Sequence, residues 1–424
     1  MNRSWITLIL LIIASTLGFM DRQVLSFLVA PIKSDFGVSD LQISLLQGFA
    51  FAAFYTLAAV PIGGLIDTRN RVKVLSVGIA AWSLMTAAGG FARNYLQLFA
   101  ARLGVGVGEA TLGPAAHSMI ADLFPKHRMP LAMSVYGLGV ALGAGIGYAV
   151  GGVIVRQFLV RGSVDLPVLG VVRAWQAVFF VVGAPGLLVA LMIRGLARDP
   201  VRHRGVNANW ADLREFIRLR WRVLLPLVLG ISCFTANSFA ILNWAPEFLR
   251  RQWTLGPDEA GKLLGVMMVL GPLPGGLACG AWAARLAKRG DAAASLKVMG
   301  ITGLVAAPLV SFACVSMHAG LALAAMVVPM LISQCYVGLG PASVQHLAPV
   351  NLRGRLAALY LLLTSLLGMS IGPLAVAAIS DLVLKDESRL GIALGVSSGF
   401  FHMAGAGFLL FSIRGYRRVC LLDK

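Results

Sequence analysis

Residues 102–125 read RLGVGVGEATLGPAAHSMIADLFP. The stretch is apolar, rich in glycine and long enough to cross a bilayer. Glu109 stands near its middle, with no charged neighbour for several residues on either side. A carboxylate at that depth costs about 2.5–3.5 kcal/mol on insertion scales, so a chain keeps one where it faces a cavity or a partner. Arg102 lies two helical turns earlier, which puts both side chains on one helix face, about 10 Å apart. The rest of the chain reads as the housing of this carboxylate.

Composition agrees. Of 424 residues, 58% are hydrophobic and 13% charged, against roughly 25% charged in soluble domains. Apolar runs of about 20 residues recur along the whole length, the mark of a polytopic helical membrane protein. No long polar segment is left for an appended catalytic domain, so an enzyme is not expected. The net charge of +18 reads as topogenic Lys and Arg, and nucleic acid is not an expected partner. Cys233, Cys279, Cys314, Cys335 and Cys420 form no C-x-x-C pair, and the six histidines are scattered. No disulfide framework, metal site or cofactor is expected. The apolar run from Trp5 has no small-residue cleavage site after it and resumes beyond Asp21-Arg22, so it is a retained first span.

Twelve spans are predicted, near residues 5–32, 41–66, 74–91, 96–123, 131–155 and 174–193, then 223–249, 260–284, 296–316, 321–347, 356–384 and 390–413. They define an N-terminal half at 1–195, a linker at 196–222 and a C-terminal half at 223–424. Within the linker, NWADLREFIRLRW reads as an amphipathic helix on the membrane surface. Lys and Arg number 24 on the face holding both termini and the linker, and nine on the other. Both termini are therefore expected in the cytoplasm, in a bacterial-type inner membrane. The halves repeat: Gly113-Pro114 matches Gly340-Pro341, Pro125 matches Pro349, and Gly147 matches Gly372, at offsets of 227, 224 and 225 residues. Six spans plus six related spans is a transporter architecture, with a binding site near the midplane.

Asp21, Arg22, Arg102 and Glu109 are the buried charges, read as a proton or substrate relay. Asp21 and Arg22 point about 100° apart on a helix, so one lines the cavity and the other braces it. They are nonetheless expected to act as a buried pair. Gln47, Tyr55, Tyr136, Asn237, Asn243, Trp244, Gln334 and Tyr336 are the polar and aromatic candidates for lining a cargo cavity. Glu247 and Arg250 stand near the end of span 7 as an expected outer gate. Lys262 is expected to snorkel. GVGVGEATLG is similar to a phosphate-binding glycine fingerprint, but it lies inside a span, where close helix packing explains it better.

GGLIDTRNRVK, residues 63–73, resembles the loop signature of the major facilitator superfamily through Gly63, Asp67, Arg71 and Lys73. Thr68 and Asn70 depart from it. The second half keeps Gly280, Arg285, Lys288 and Arg289 but has Ala284 in place of the acid. The resemblance implies a two-half, twelve-helix all-α fold that works by rocking of the halves. It also implies a conformational latch at Gly63, Asp67, Arg71 and Arg285. FMDRQVLSFLVAPIKSDFGVSDLQISLLQGFAFAAFYTLAAVPIG, the span 4 stretch and NWAPEFLRRQWTL resemble Spinster-like transporters. That resemblance implies proton coupling and gating at Asp21, Arg22 and Glu109, and a lipid-like cargo such as a lysophospholipid. The expected partners are a small-molecule or lipid-like substrate, protons and membrane lipids, and the chain is expected to act as a monomer. The rival readings are an organic-anion or sugar-acid symporter with Arg22 or Arg102 on the carboxylate, an uncoupled scramblase, and an integral-membrane enzyme. No nucleotide-binding loop supports an ATP-driven pump.

Overall fold

A computed structural model of the protein describes residues 3–125, 128–166, 170–200, 210–349 and 352–422. Lys126 of the basic loop and part of the linker, residues 201–209, lie outside these. The helices are α1 (Arg3–Phe27), α2 (Val29–Phe36), α3 (Asp40–Thr68), α4 (Arg71–Gly89), α5 (Tyr95–Glu109), α6 (Leu112–Leu123), α7 (Met129–Leu159) and α8 (Ala174–Leu196). They continue as α9 (Trp210–Trp253), α10 (Pro257–Leu270), α11 (Pro272–Lys288), α12 (Ala294–Val315), α13 (Ala319–Ile332), α14 (Tyr336–Leu347), α15 (Arg353–Ala378) and α16 (Leu390–Leu422). A short antiparallel hairpin, β1 (Ser163–Leu166) and β2 (Gly170–Arg173), joins α7 to α8.

Eleven segments among the described residues are long and apolar enough to cross a membrane. The twelfth expected span is broken into α5 and α6 at Ala110–Thr111. The cause is Pro114, which has no N–H and whose ring crowds the carbonyl four residues back, that of Ala110. Thr111 N–H turns to the Gly108 carbonyl instead. Pro31 acts likewise on residue 27, so the expected first span is α1 followed by α2, with a bend at Leu28. Span 10 is interrupted by a tight turn at Ser333–Cys335. The expected surface helix of the linker runs without interruption into span 7 as the 44-residue α9. Leu213 and Phe216 on its apolar face join a buried core with Leu227 and Ile231.

The chain forms two compact units, Met1–His203 with Ala245–Val269, and Arg204–Trp244 with Leu270–Lys424. In the first, α1 and α7 meet along a ladder with a four-residue step. Gly139, Gly143, Gly147 and Gly151 face Ile12, Thr16, Met20 and Val24 in turn. Such rows of small residues let backbones approach where lipid offers no hydrophobic drive. A Cβ on Gly147 would stand 3.1 Å from the Met20 Cα. Gly147→Leu is therefore expected to push α1 off α7 and cost about 1–3 kcal/mol or more. An unchanged melting temperature in detergent would show that the ladder does not set this packing.

Candidate functional site

The site grows from the break in span 4. Glu109 is the last residue of α5, where helix carbonyls concentrate partial negative charge and disfavour a carboxylate. Arg22 of α1 answers both. Its Nε donates to Glu109 Oε2 at 2.8 Å, and Nη2 donates to the same oxygen. The guanidinium also lies over the Phe51 ring, 4.2 Å from its centroid. Gly18, one turn before Arg22, lets the carboxylate sit against α1: a Cβ there would be 3.5 Å from Oε2. Glu109 is 2% exposed and the Arg22 side chain 22%, so the pair has one open side.

Asp21 does not pair with Arg22. Its Oδ1 accepts from Arg102 Nη1 at 3.3 Å, and its Oδ2 accepts from the Thr86 hydroxyl at 2.7 Å. Arg102 lies over the Phe179 ring at 4.9 Å. The expected Asp21–Arg22 pair is thus corrected to two cross-helix pairs, Asp21–Arg102 and Arg22–Glu109. The reason is the one noted for neighbouring residues: they diverge by about 100°, and Arg102 and Glu109, two turns apart on α5, each meet a different one. Among the buried polar atoms of this unit with no hydrogen-bond partner among the described residues are Glu109 Oε1, Arg102 Nη2 and both amide atoms of Gln47. Gln47 lies on a π-helical turn, Leu45–Phe49, a distortion frequent at functional sites.

Of the cavity candidates, Tyr55 stacks on Phe51 with centroids 5.5 Å apart. Tyr136 hydrogen-bonds Ser15 at 2.9 Å and meets the His117 ring edge-on. In the second unit, the Tyr336 hydroxyl donates to Ser238 Oγ at 3.0 Å and Gln334 Nε2 donates to it at 3.2 Å. Asn237 is buried, and its Oδ1 has no partner among the described residues. Asn243 donates to the Phe239 carbonyl at 3.0 Å, within its own helix. Trp244 is fully buried and donates to the Pro373 carbonyl at 3.1 Å, so it anchors α9 on α15.

The internal repeat relates these two groups. The offset of 227 residues between Gly113 and Gly340 carries Glu109 onto Tyr336. Gly147 packs on Met20 and its counterpart Gly372 packs on Ala236, so Asp21 and Arg22 correspond to Asn237 and Ser238. The Arg22–Glu109 ion pair of one unit is a Ser238–Tyr336 hydrogen bond in the other.

Of the expected latch, Gly63 has open space around it, while Asp67 and Arg285 are exposed. Arg71 differs: it is 1% exposed. Its Nε donates to Asp199 Oδ1 at 2.9 Å, Nη1 to Asp122 Oδ2 at 2.6 Å and Ser118 Oγ at 2.9 Å, and Nη2 to the Pro200 carbonyl at 2.6 Å. Asp122 and Asp199 were not among the sequence candidates. Asp122, within the quoted stretch, was the signal available.

At the far end of α9, Arg250 donates to Glu247, while Arg251 bridges Glu247 Oε1 at 2.6 Å and Asp40 Oδ2 at 2.7 Å. Lys33 Nζ also donates to Asp40, at 2.5 Å. Lys262 is exposed and lies 3.6 Å from Asp258.

These features can be set beside known proteins. The model of the Major Facilitator Superfamily matches residues 11–373. An MFS-type efflux pump of Mycolicibacterium smegmatis is 26% identical over 426 residues, covering 98% of this chain and 94% of the pump. The sphingosine-1-phosphate transporter SPNS2 of Mus musculus is 29% identical over 255 residues, 57% of this chain and 43% of that one. The match therefore spans less than half of that relative's length. A crystal structure of a bacterial homolog to the human lysosomal transporter Spinster, inward-facing and occupied, superposes with a TM-score of 0.80 at 25% identity, covering 98% of this chain and 96% of that one. An all-α integral membrane protein with Spinster proteins among its relatives, this chain belongs to the Major Facilitator Superfamily.

Proposed function

We propose that this protein is a proton-coupled secondary transporter of the Spinster type, working by alternating access on a lipid-like, amphiphilic cargo such as a lysophospholipid. One observation carries the coupling: Glu109 is held by Arg22 through one oxygen, while the other, Oε1, is buried without a partner among the described residues. A proton accepted on Oε1 neutralises the carboxylate and weakens its hold on the guanidinium. Arg22 is then the charge available to an anionic group of the cargo. Intramembrane ionisable residues with named partners mark proton relays and cargo paths by default. The lipid-like cargo rests on similarity to the sphingosine-1-phosphate transporter.

In this reading the six-span halves are 1–195 and 223–424, joined by 196–222, and both termini face the cytoplasm of an inner membrane. The test uses proteoliposomes, lysophosphatidylethanolamine as cargo and an imposed pH gradient. Glu109→Gln is expected to abolish the gradient-driven component of flux, leaving at most a gradient-independent remainder. A variant that transports with unchanged pH dependence overturns the assignment of the relay to Glu109.

A further inference from the structure

A groove of about 600 Å³ runs between α3, α4 and the α5–α6 bend. Arg69, Asn70 and Lys73 stand at one end, and all three are exposed. Beyond them the walls are apolar: Leu65, Val77 and Val107 are 47%, 68% and 40% exposed. On α4 the groove extends from Lys73 to Ala81, eight residues or about 12 Å. One leaflet of hydrocarbon is about 15 Å deep, half the usual core. The slot thus has the length of an acyl chain within one leaflet.

Its floor is closed by backbone contact. A Cβ on Gly108 would stand 2.7 Å from the Trp82 Cβ and 2.8 Å from the Gly78 carbonyl oxygen. Its polar end is cationic, and no acidic side chain is among the described residues that line it. Asn70 also caps α4, its Oδ1 accepting the Lys73 N–H at 2.9 Å. Asp199 Oδ2 accepts the Arg71 N–H at 3.0 Å, so the start of α4 is already capped and the side chains of Arg69 and Lys73 alone answer a phosphate.

The geometry points to a binding site for one anionic phospholipid of the surrounding bilayer, its phosphate at Arg69 and Lys73 and one acyl chain along Val77 and Val107. The chain ends against Gly108 and Thr111, beside the break between α5 and α6. This site stands on charge complementarity and slot length, independently of any cargo.

The test is native mass spectrometry and thermal unfolding of the full chain in detergent, with phosphatidylglycerol or phosphatidylethanolamine of equal chain length. One phosphatidylglycerol is expected to stay bound and raise the melting temperature, with phosphatidylethanolamine doing neither. Arg69→Gln with Lys73→Gln should weaken phosphatidylglycerol binding about 30-fold. Val77→Trp fills the slot and keeps both charges, and should lower retention as well. If it melts early without lipid, Ala81→Leu takes its place. Equal retention of the two lipids, or unchanged binding in the double variant, overturns the site. Inorganic phosphate that stabilises as well as phosphatidylglycerol overturns the acyl-chain part and with it the lipid.

Discussion

Asp21→Asn or Arg102→Gln alone destabilises the protein by about 3–5 kcal/mol, and the two together recover most of that loss. The expectation follows from the observed partners: Asp21 is 3% exposed and takes its ion-pair hydrogen bond from Arg102. Removing one member leaves the other as a bare charge at membrane depth; removing both leaves two neutral groups that can still hydrogen-bond. The Arg22→Gln and Glu109→Gln cycle should behave the same way. An Asp21 and Arg22 cycle should show the weaker coupling, because each charge keeps its own partner. Thermal unfolding in detergent supplies the cycles. The largest coupling in the Asp21–Arg22 cycle would mean that the cross-helix pairing is wrong. Flux separates bracing from transport: in the coupling role, the Arg22–Glu109 double variant recovers stability and not flux.

Arg71→Ala is the second large effect. Arg71 joins the start of α4 to Ser118 and Asp122 on α6 and to Asp199 and Pro200 beyond α8. Asp122 and Asp199 are 15% and 19% exposed in their side chains, so water relieves part of the penalty of stranding them. A loss of about 2–4 kcal/mol is expected, toward the lower part of the range for breaking a buried pair. Arg71→Lys recovers little, because a single ammonium cannot reproduce the fork that reaches two carboxylates and three further oxygens. Melting temperature and spectroscopic distances between labels on α4 and α6 check it. A stable Arg71→Ala protein with unaltered distances would reduce Arg71 to a topogenic charge.

Much of this was legible in the chain. Glu109 announces itself because an isolated carboxylate in an apolar span has few innocent explanations. The repeat is visible in Gly113-Pro114 and Gly340-Pro341, each just beyond an interruption of its span, at Ala110–Thr111 and at Ser333–Cys335. What the sequence conceals is partner choice. Whether Asp21 meets Arg22 or Arg102 depends on how α5 is rotated about its axis, which Gly106 and Gly108 set through contacts with α3 and α4. Thr86 and Phe179 carry no sequence signal for the same reason: they are ordinary residues until packing presents them to Asp21 and Arg102. Asp40, Asp122 and Asp199 read as charges at span ends, and only the fold shows that arginines on other elements reach them.

The cross-helix pairing also bears on how the chain is made. Asp21 and Arg22 leave the ribosome 81 and 87 residues before Arg102 and Glu109. At about 5–20 residues per second, the first helix waits several seconds with both charges unanswered. A lone helix so marked is poorly suited to release into lipid. Its lasting place in the bilayer is fixed only when α5 arrives, so the first four spans leave the insertion machinery as one cohort. The second half has Asn237 and Ser238 at the corresponding positions, and its first helix can enter the membrane alone.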